Sequence, residues 1–220
     1  MISERLFVRR YLSFWHDALP FGEAFVRGLN SRLNMHVAQD SSWGGETGRR
    51  SAVAQLAAFM FERGDPELDL DLAFEQTAAQ LGVNLEDKLD EFERSELQRA
   101  YDYLTRYVSR SRLLIRPQFA GCGIVSLCEG DYLVGDTLFE MKYGWHGFRA
   151  VDIRQVLTYC ALNFLSGQHK IASFGLINPR IGRHFTLGLD QAAEQLSGSS
   201  AAALLRKIAQ FMQEGAPSGL

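Results

Sequence analysis

The sequence predicts an α/β fold, a central mixed sheet flanked by helices and preceded by a helical N-terminal region. Three observations carry this. Apolar residues recur at helical spacing up to about residue 107. From Arg112 onward the texture changes to short apolar runs separated by glycines. After the run ending at Tyr143, helical spacing returns, and helical and strand-like segments then alternate to the C-terminus. Helices followed by strands with interleaved helices imply a sheet covered by helices.

In the first part, Phe7, Tyr11, Phe14 and Trp15 share one helical face. Val53, Leu56, Ala57 and Met60 repeat the pattern, as do Leu97, Ala100, Tyr101, Leu104 and Tyr107. The stretch Asp40 to Arg50 interrupts it and reads as a loop. Its glycines lack the Lys-Ser/Thr ending of a phosphate-binding loop, although Arg49 and Arg50 could touch a phosphate. In the second part, strands are expected at 113–119, 123–127, 131–134, 137–143, 171–177 and 184–189, with helices at 92–108, 152–166 and 201–212. Asn178-Pro-Arg-Ile-Gly182 reads as a turn.

The chain has 220 residues, 46% of them hydrophobic and 22% charged, an ordinary globular composition. No apolar run is long enough to cross a bilayer and no signal-peptide core follows Met1 to Arg10, so a cytoplasmic location is expected and a membrane partner is not. Cys122, Cys128 and Cys160 match no disulfide framework or zinc spacing and are expected to be reduced and mostly buried. The net charge of −3 neither supports nor excludes nucleic acid, but its distribution is uneven. Residues 63–93 hold ten acids against two bases, and residues 94–116 hold six arginines against two acids. Such a step suits a surface with one cationic side; two solvated helix faces would give it as well.

The chemistry concentrates in Gly130-Asp-Tyr-Leu-Val-Gly-Asp-Thr-Leu-Phe-Glu-Met-Lys142. A two-residue turn at Gly135-Asp136 makes this a hairpin, because glycine tolerates the positive φ such turns need. Counting back from the turn, Val134 faces Thr137, Leu133 faces Leu138, Tyr132 faces Phe139, and Asp131 faces Glu140. Lys142 follows on the Glu140 face, and Tyr132, Val134, Phe139, Met141 and Tyr143 take the other. Two carboxylates opposed across a strand pair repel each other, and on a half-buried strand they need partners. A divalent cation would relieve the repulsion, since carboxylate oxygens suit Mg²⁺ and Mn²⁺. The plain structural alternative is an ion pair between Glu140 and Lys142, with Asp131 capping a turn.

Asp131, a turn, then Glu140-Met141-Lys142 on the next strand resembles the core motif of the PD-(D/E)XK nuclease superfamily. Gly130 stands where proline gives the motif its name, as is usual in the RecB-like branch, and Gln155-Val-Leu-Thr-Tyr159 matches that branch's Q-x-x-x-Y helix motif. The resemblance covers roughly residues 112 to 190, and the four-cysteine cluster of some relatives has no counterpart. It implies a restriction-endonuclease-like core over residues 108–220, with residues 1–107 as a helical region packed on it. It also implies a Mg²⁺- or Mn²⁺-dependent phosphodiesterase acting on nucleic acid, DNA before RNA.

In that reading Asp131, Glu140 and the Met141 carbonyl hold the metal. Lys142 orients the attacking water, and Gln155 and Tyr159 position the lysine or the nucleic-acid backbone. Spacing alone gives Gln155 a second reading as a helix cap with Asp152, and Tyr159 one as core. Glu129, Glu93 or Glu96 would assist the metal. Asp136 belongs to the turn and His146 to a loop, while Arg149, Arg154, Arg180 and Arg183 are candidate phosphate contacts. Fold-level analogy suggests DNA repair or antiviral defence beside an ATPase or helicase. The competing class is a non-catalytic nuclease-fold subunit that binds nucleic acid or scaffolds a larger complex.

Overall fold

A computed structural model describes residues 1–33, 47–64, 70–80 and 88–215. Of the loop expected at 40–50, residues 40–46 and the Arg50 side chain lie outside the described residues, and residues 47–50 are helical, forming the first turn of the helix that begins at Thr47 rather than a loop. The N-terminal half is helical: α1 (Glu4–Arg10), α2 (Leu12–Ala18), α3 (Gly22–Arg32), α4 (Thr47–Arg63), α5 (Leu70–Gln80) and α6 (Glu91–Tyr107). Ser3 caps α1 through its hydroxyl. Asp90 and Glu93 cap α6 reciprocally, satisfying N–H groups that the first turn leaves open. The aromatic face of residues 7–15 spans two helices rather than one, because the chain leaves helical geometry at Tyr11. Phe7, Phe14 and Trp15 still pack together, and Phe14 stacks on Phe211 at 3.9 Å between ring centres. That contact ties the N-terminal helices to the last helix.

The second half supplies β1 (Leu113–Ile115), β2 (Gln118–Phe119), β3 (Cys128–Glu129), β4 (Tyr132–Val134), β5 (Thr137–Met141), α7 (Ala150–Ser166), β6 (Ser173–Asn178), β7 (Arg183–Gly188), α8 (Leu189–Ser197) and α9 (Ala201–Glu214). Five strands form one sheet in the order β1-β4-β5-β6-β7. The β5–β6 pair is parallel and the other pairs are antiparallel, giving the expected mixed sheet. One sheet face packs Leu133, Leu138, Phe174 and Leu176 with buried residues of α7 and α9. The other packs Tyr132, Phe139 and Ile177 with Phe61 of α4 and Leu104 of α6. Val53, Leu56, Ala57 and Met60 meet Leu97 and Ala100 in a third apolar cluster between α4 and α6. Among the described residues, no helix is long and apolar enough to cross a membrane.

Two expected strands differ. The run 113–119 breaks at Arg116, which has φ 51°, and at Pro117, which has no N–H to give a ladder. Beyond the break, β2 leaves the main sheet and pairs with β3. The run 123–127 is a turn and not a strand. Gly123 has φ 52°, and its backbone lies so close to Met212 O that a β-carbon would collide with it. The polar groups of this segment bond elsewhere: Ile124 N–H donates to Met212 O, Ile2 N–H to Ile124 O, and Ser126 N–H to Ile2 O. α8 has no counterpart in the sequence-based expectation.

Candidate active-site cleft

The hairpin forms in the expected register, with Val134 paired to Thr137, Leu133 to Leu138 and Tyr132 to Phe139. Gly135 makes the turn with φ 63°. One step beyond the last paired residues, Asp131 Oδ2 accepts the Met141 N–H at 2.6 Å, so Asp131 and the Glu140–Met141 backbone are neighbours. Glu140 is 5% exposed. Burial and, after it, the charge of Asp131 push its carboxyl up to about 8, against the opposing pull of Lys142. Burial also raises Asp131; the Met141 N–H, Lys142 and a hydrogen bond with Glu140 act the other way. The two acids therefore form a coupled pair that retains a proton well above the ordinary carboxylate range.

Lys142 sits in a polar socket. Its Nζ is 3.0 Å from Glu140 Oε1, 2.8 Å from Gln155 Oε1 and 3.7 Å from Asp152 Oδ1. Gln155 Nε2 donates to the Tyr159 hydroxyl at 2.8 Å. Both Gln155 Nε2 and the Tyr159 hydroxyl lie 3.4 Å from Glu4 Oε1. The Tyr159 ring stacks on Phe119 at 5.3 Å. Its hydroxyl is held well above its usual pKa, first by burial and then by the charge of Glu140. Gln155 is not a helix cap: Asp152 Oδ2 accepts the Arg149 N–H at the start of α7, and one helical turn further on Gln155 points at the lysine.

These groups lie along a polar cleft of about 600 Å³. Asp131, Glu140, Met141 and Lys142 line it from the hairpin, and Arg149, Asp152 and Gln155 from the start of α7. Opposite walls come from the N-terminal helices, through Arg5 and Arg9 of α1 and Phe59 and Glu62 of α4. Glu62 is pushed up in pKa by burial and by Asp131, with Arg116 opposing. Glu129 lines the cleft too, but is exposed and accepts from Gln118 Nε2 at 3.1 Å.

Several expected site residues lie elsewhere. Glu93 takes a two-pronged ion pair from Arg49 at 2.7 and 2.6 Å and caps α6. Glu96 pairs with Arg99 and with Arg180, whose Nε lies 3.4 Å away. Neither glutamate lines the cleft, because the α6 face that carries them is committed to joining α4 and the β6–β7 turn. The acids that approach from the helical half are Glu4, which is buried, and Glu62, which is half-buried. No local sequence signal marks either; both reach the site through contacts distant in the chain.

Of the candidate arginines, Arg149 lines the cleft. Arg154 faces Glu23 at 3.6 Å, Arg180 lies over Trp145, and Arg183 donates to Leu33 O. Of the six arginines in 94–116, only Arg116 is a cleft residue; Arg94, Arg99 and Arg110 bond to Leu89 O, Glu96 and Phe61 O. Asp136 stays at the turn, 3.7 Å from Lys170, and His146 is an exposed loop residue. Cys122, Cys128 and Cys160 are free thiols.

Comparisons with protein-family models, with curated proteins and with solved structures find no match to this chain.

Proposed function

We propose that this chain is a divalent-metal-dependent nuclease that hydrolyses phosphodiester bonds, in DNA before RNA. The observation that carries the reading is the coupled Asp131–Glu140 pair beside Lys142, along an open polar cleft. Two carboxyls share the site with one ammonium, that of Lys142, and their donors are hard oxygens, so the pair suits Mg²⁺ or Mn²⁺. Among the described residues, no three His, Cys, Asp or Glu side chains converge as a ready-made metal cage. Mg²⁺ commonly binds through one or two carboxylates, keeps several waters and takes its remaining contacts from substrate phosphate.

In this reading Asp131 and Glu140 hold the ion, with the Met141 carbonyl as a further oxygen. A bound cation would supply Lewis acidity toward the phosphate and activate water for attack. Asp131 is held in place by the Met141 N–H. Lys142, a donor with no acceptor of its own, offsets charge on the scissile phosphate and orients the attacking water. Gln155 holds Lys142, Tyr159 holds Gln155, and Glu4 backs both.

The test is incubation of purified protein with linear, circular and single-stranded DNA and with RNA, in Mg²⁺, in Mn²⁺ and in EDTA. Metal-dependent cleavage absent from Lys142→Ala supports the reading. Failure to cleave any of these substrates in either metal would end it and leave the non-catalytic subunit standing.

A further inference from the structure

We infer that the tip of the β4–β5 hairpin carries a second site, which takes the phosphate group of a small phosphorylated molecule or inorganic phosphate itself. The site is separate from the acid cleft and does not rest on the nuclease reading.

It is a cavity of about 480 Å³ beside the turn, lined by Ser109, Ser111, Arg112, Gly135, Asp136 and Lys170. Small-molecule pockets run from about 300 to 1,000 Å³, so a phosphorylated metabolite fits this volume. Asp131 and Gly135 flank β4 at opposite ends, roughly 13 Å apart along an extended strand. Between them Tyr132 and Leu133 are covered, one from each face of the sheet. The body of the sheet therefore separates the cavity from the cleft. That favours an independent small ligand over a polynucleotide already seated at the acids.

Arg112 is the residue that decides the chemistry. Its φ is 56°, in the left-handed region that glycine enters freely and a residue with a β-carbon enters at a cost. The Gly135 N–H donates to the Arg112 carbonyl oxygen at 3.1 Å and fixes the backbone there. That backbone calls for a glycine, so the arginine is accounted for by its side chain. Among the described residues the other non-glycine residue with positive φ is Arg116, which lines the acid cleft. Strained backbone thus marks both cavities, one at each end of β1, as it does at ligand-holding positions elsewhere. Arg110, two residues earlier, is bonded to Phe61 O, whereas among the described residues no acid pairs with Arg112.

The donor set suits a phosphate. Arginine and lysine present N–H donors and no acceptor, and the planar guanidinium meets two phosphate oxygens at once. Ser109 Oγ accepts the Ser111 N–H at 3.2 Å, which leaves its own proton for an oxyanion. The acid in the lining, Asp136, lies 3.7 Å from the Lys170 ammonium, and the two side chains are 44% and 85% exposed. A pair so long and so exposed contributes little, so Lys170 can turn to a dianion at small cost. With two cations against one acid, the lining carries net positive charge.

The test is isothermal titration calorimetry of the full-length chain in EDTA, with inorganic phosphate and with adenosine 5′-monophosphate. Fluorescence anisotropy of a labelled 12-nucleotide DNA with a 5′-hydroxyl runs beside it. At least one of the two small ligands should bind saturably, with Kd at or below about 1 mM. Arg112→Gly takes the same backbone without strain, so it should stay folded and weaken that binding about tenfold or more. Lys170→Ala, at an exposed side chain, should weaken it too, and it carries the test if Arg112→Gly fails to fold. Arg149→Ala, in the acid cleft, should leave it unchanged, and Arg112→Gly should leave 12-mer affinity unchanged. No saturable binding of either small ligand up to about 10 mM would overturn the inference. So would wild-type affinity in both Arg112→Gly and Lys170→Ala, or a loss confined to Arg149→Ala. Loss of 12-mer affinity in Arg112→Gly without small-ligand binding would overturn it in favour of a polynucleotide track. Each readout is binding without metal, so phosphate binding here stands even if no nucleic acid is cleaved, and cleavage does not rescue it.

Discussion

The Lys142 ammonium donates to the Gln155 amide oxygen at 2.8 Å, joining the residue that follows strand β5 to helix α7. The bond makes Gln155 a positioning residue in the proposed mechanism. Gln155→Ala should lower kcat by about one to two orders of magnitude, less than the roughly 10²–10⁴-fold that a proton-handling group itself contributes, because Gln155 only positions that group. It should leave metal-induced stabilisation intact, because Asp131 and Glu140 are untouched. Single-turnover cleavage together with melting curves in Mn²⁺ measures both. Loss of the Mn²⁺ response in this variant would mean that Gln155 acts on the metal site itself.

Lys142→Ala should abolish cleavage and keep the Mn²⁺ response, whereas Asp131→Ala and Glu140→Ala should lose both. At an ion concentration of one hundred times Kd, wild type should gain about 2.7 kcal/mol, a rise of roughly 5–10 °C in a chain this long. If Glu140 and Lys142 were a structural ion pair alone, removing either partner would destabilise by roughly 3–5 kcal/mol with no metal dependence. Differential scanning fluorimetry of the three variants, with and without Mn²⁺, separates these outcomes.

The pH dependence of the metal-free protein has a defined sign. Glu140 has an ordinary value near 4.5 and about 8 in the fold, so between these the folded state binds more protons than the unfolded state. Stability in EDTA should therefore be greatest from Glu140's side below about pH 4.5 and be lost as pH rises through about 8. Glu140→Gln, which cannot ionise, should flatten that fall. Because the ion binds the deprotonated pair, Mn²⁺ affinity should rise over the same interval. Melts in EDTA at pH 5, 6, 7, 8 and 9 measure the slope, and a wild-type slope equal to that of Glu140→Gln would contradict the assignment.

The hairpin was legible in the sequence because two local rules agree on it. Gly135 fixes the turn, and side-chain alternation then assigns every residue from Asp131 to Met141 to a face, so one glycine sets the whole register. The Gln155–Tyr159 spacing was legible for the same reason, one helical turn within one helix. What stayed hidden depends on contacts between distant segments. Glu4 meets Gln155 from 151 residues away, and nothing in Ser-Glu-Arg-Leu distinguishes a buried acid from one that merely favours a helix N-terminus. The apolar run 123–127 has strand composition, yet its hydrogen bonds go to Ile2 and Met212, partners that no pattern within the run reveals. The arginine-rich stretch 94–116 likewise gives a count of charges without their destinations.

Glu96 tests the corrected placement of the helical acids. Its carboxylate joins α6 to Arg180, whose guanidinium lies 4.0 Å over the Trp145 ring, and both side chains of the pair are 2% exposed. Removing one member leaves the other's charge buried, so Glu96→Ala should destabilise the fold by roughly 3–5 kcal/mol. If the protein remains folded at 15 °C, cleavage and the Mn²⁺-induced rise in Tm should match wild type, because Glu96 does not line the cleft. Glu96→Gln keeps the shape and part of the hydrogen bonding, and should fall between the two in stability with the same activity. A Glu96→Gln variant as stable as wild type but blind to Mn²⁺ would place this acid at the metal. The cleft geometry around Asp131 and Glu140 would then have to differ from the one described, since α6 would need to turn this face away from Arg180 to reach it.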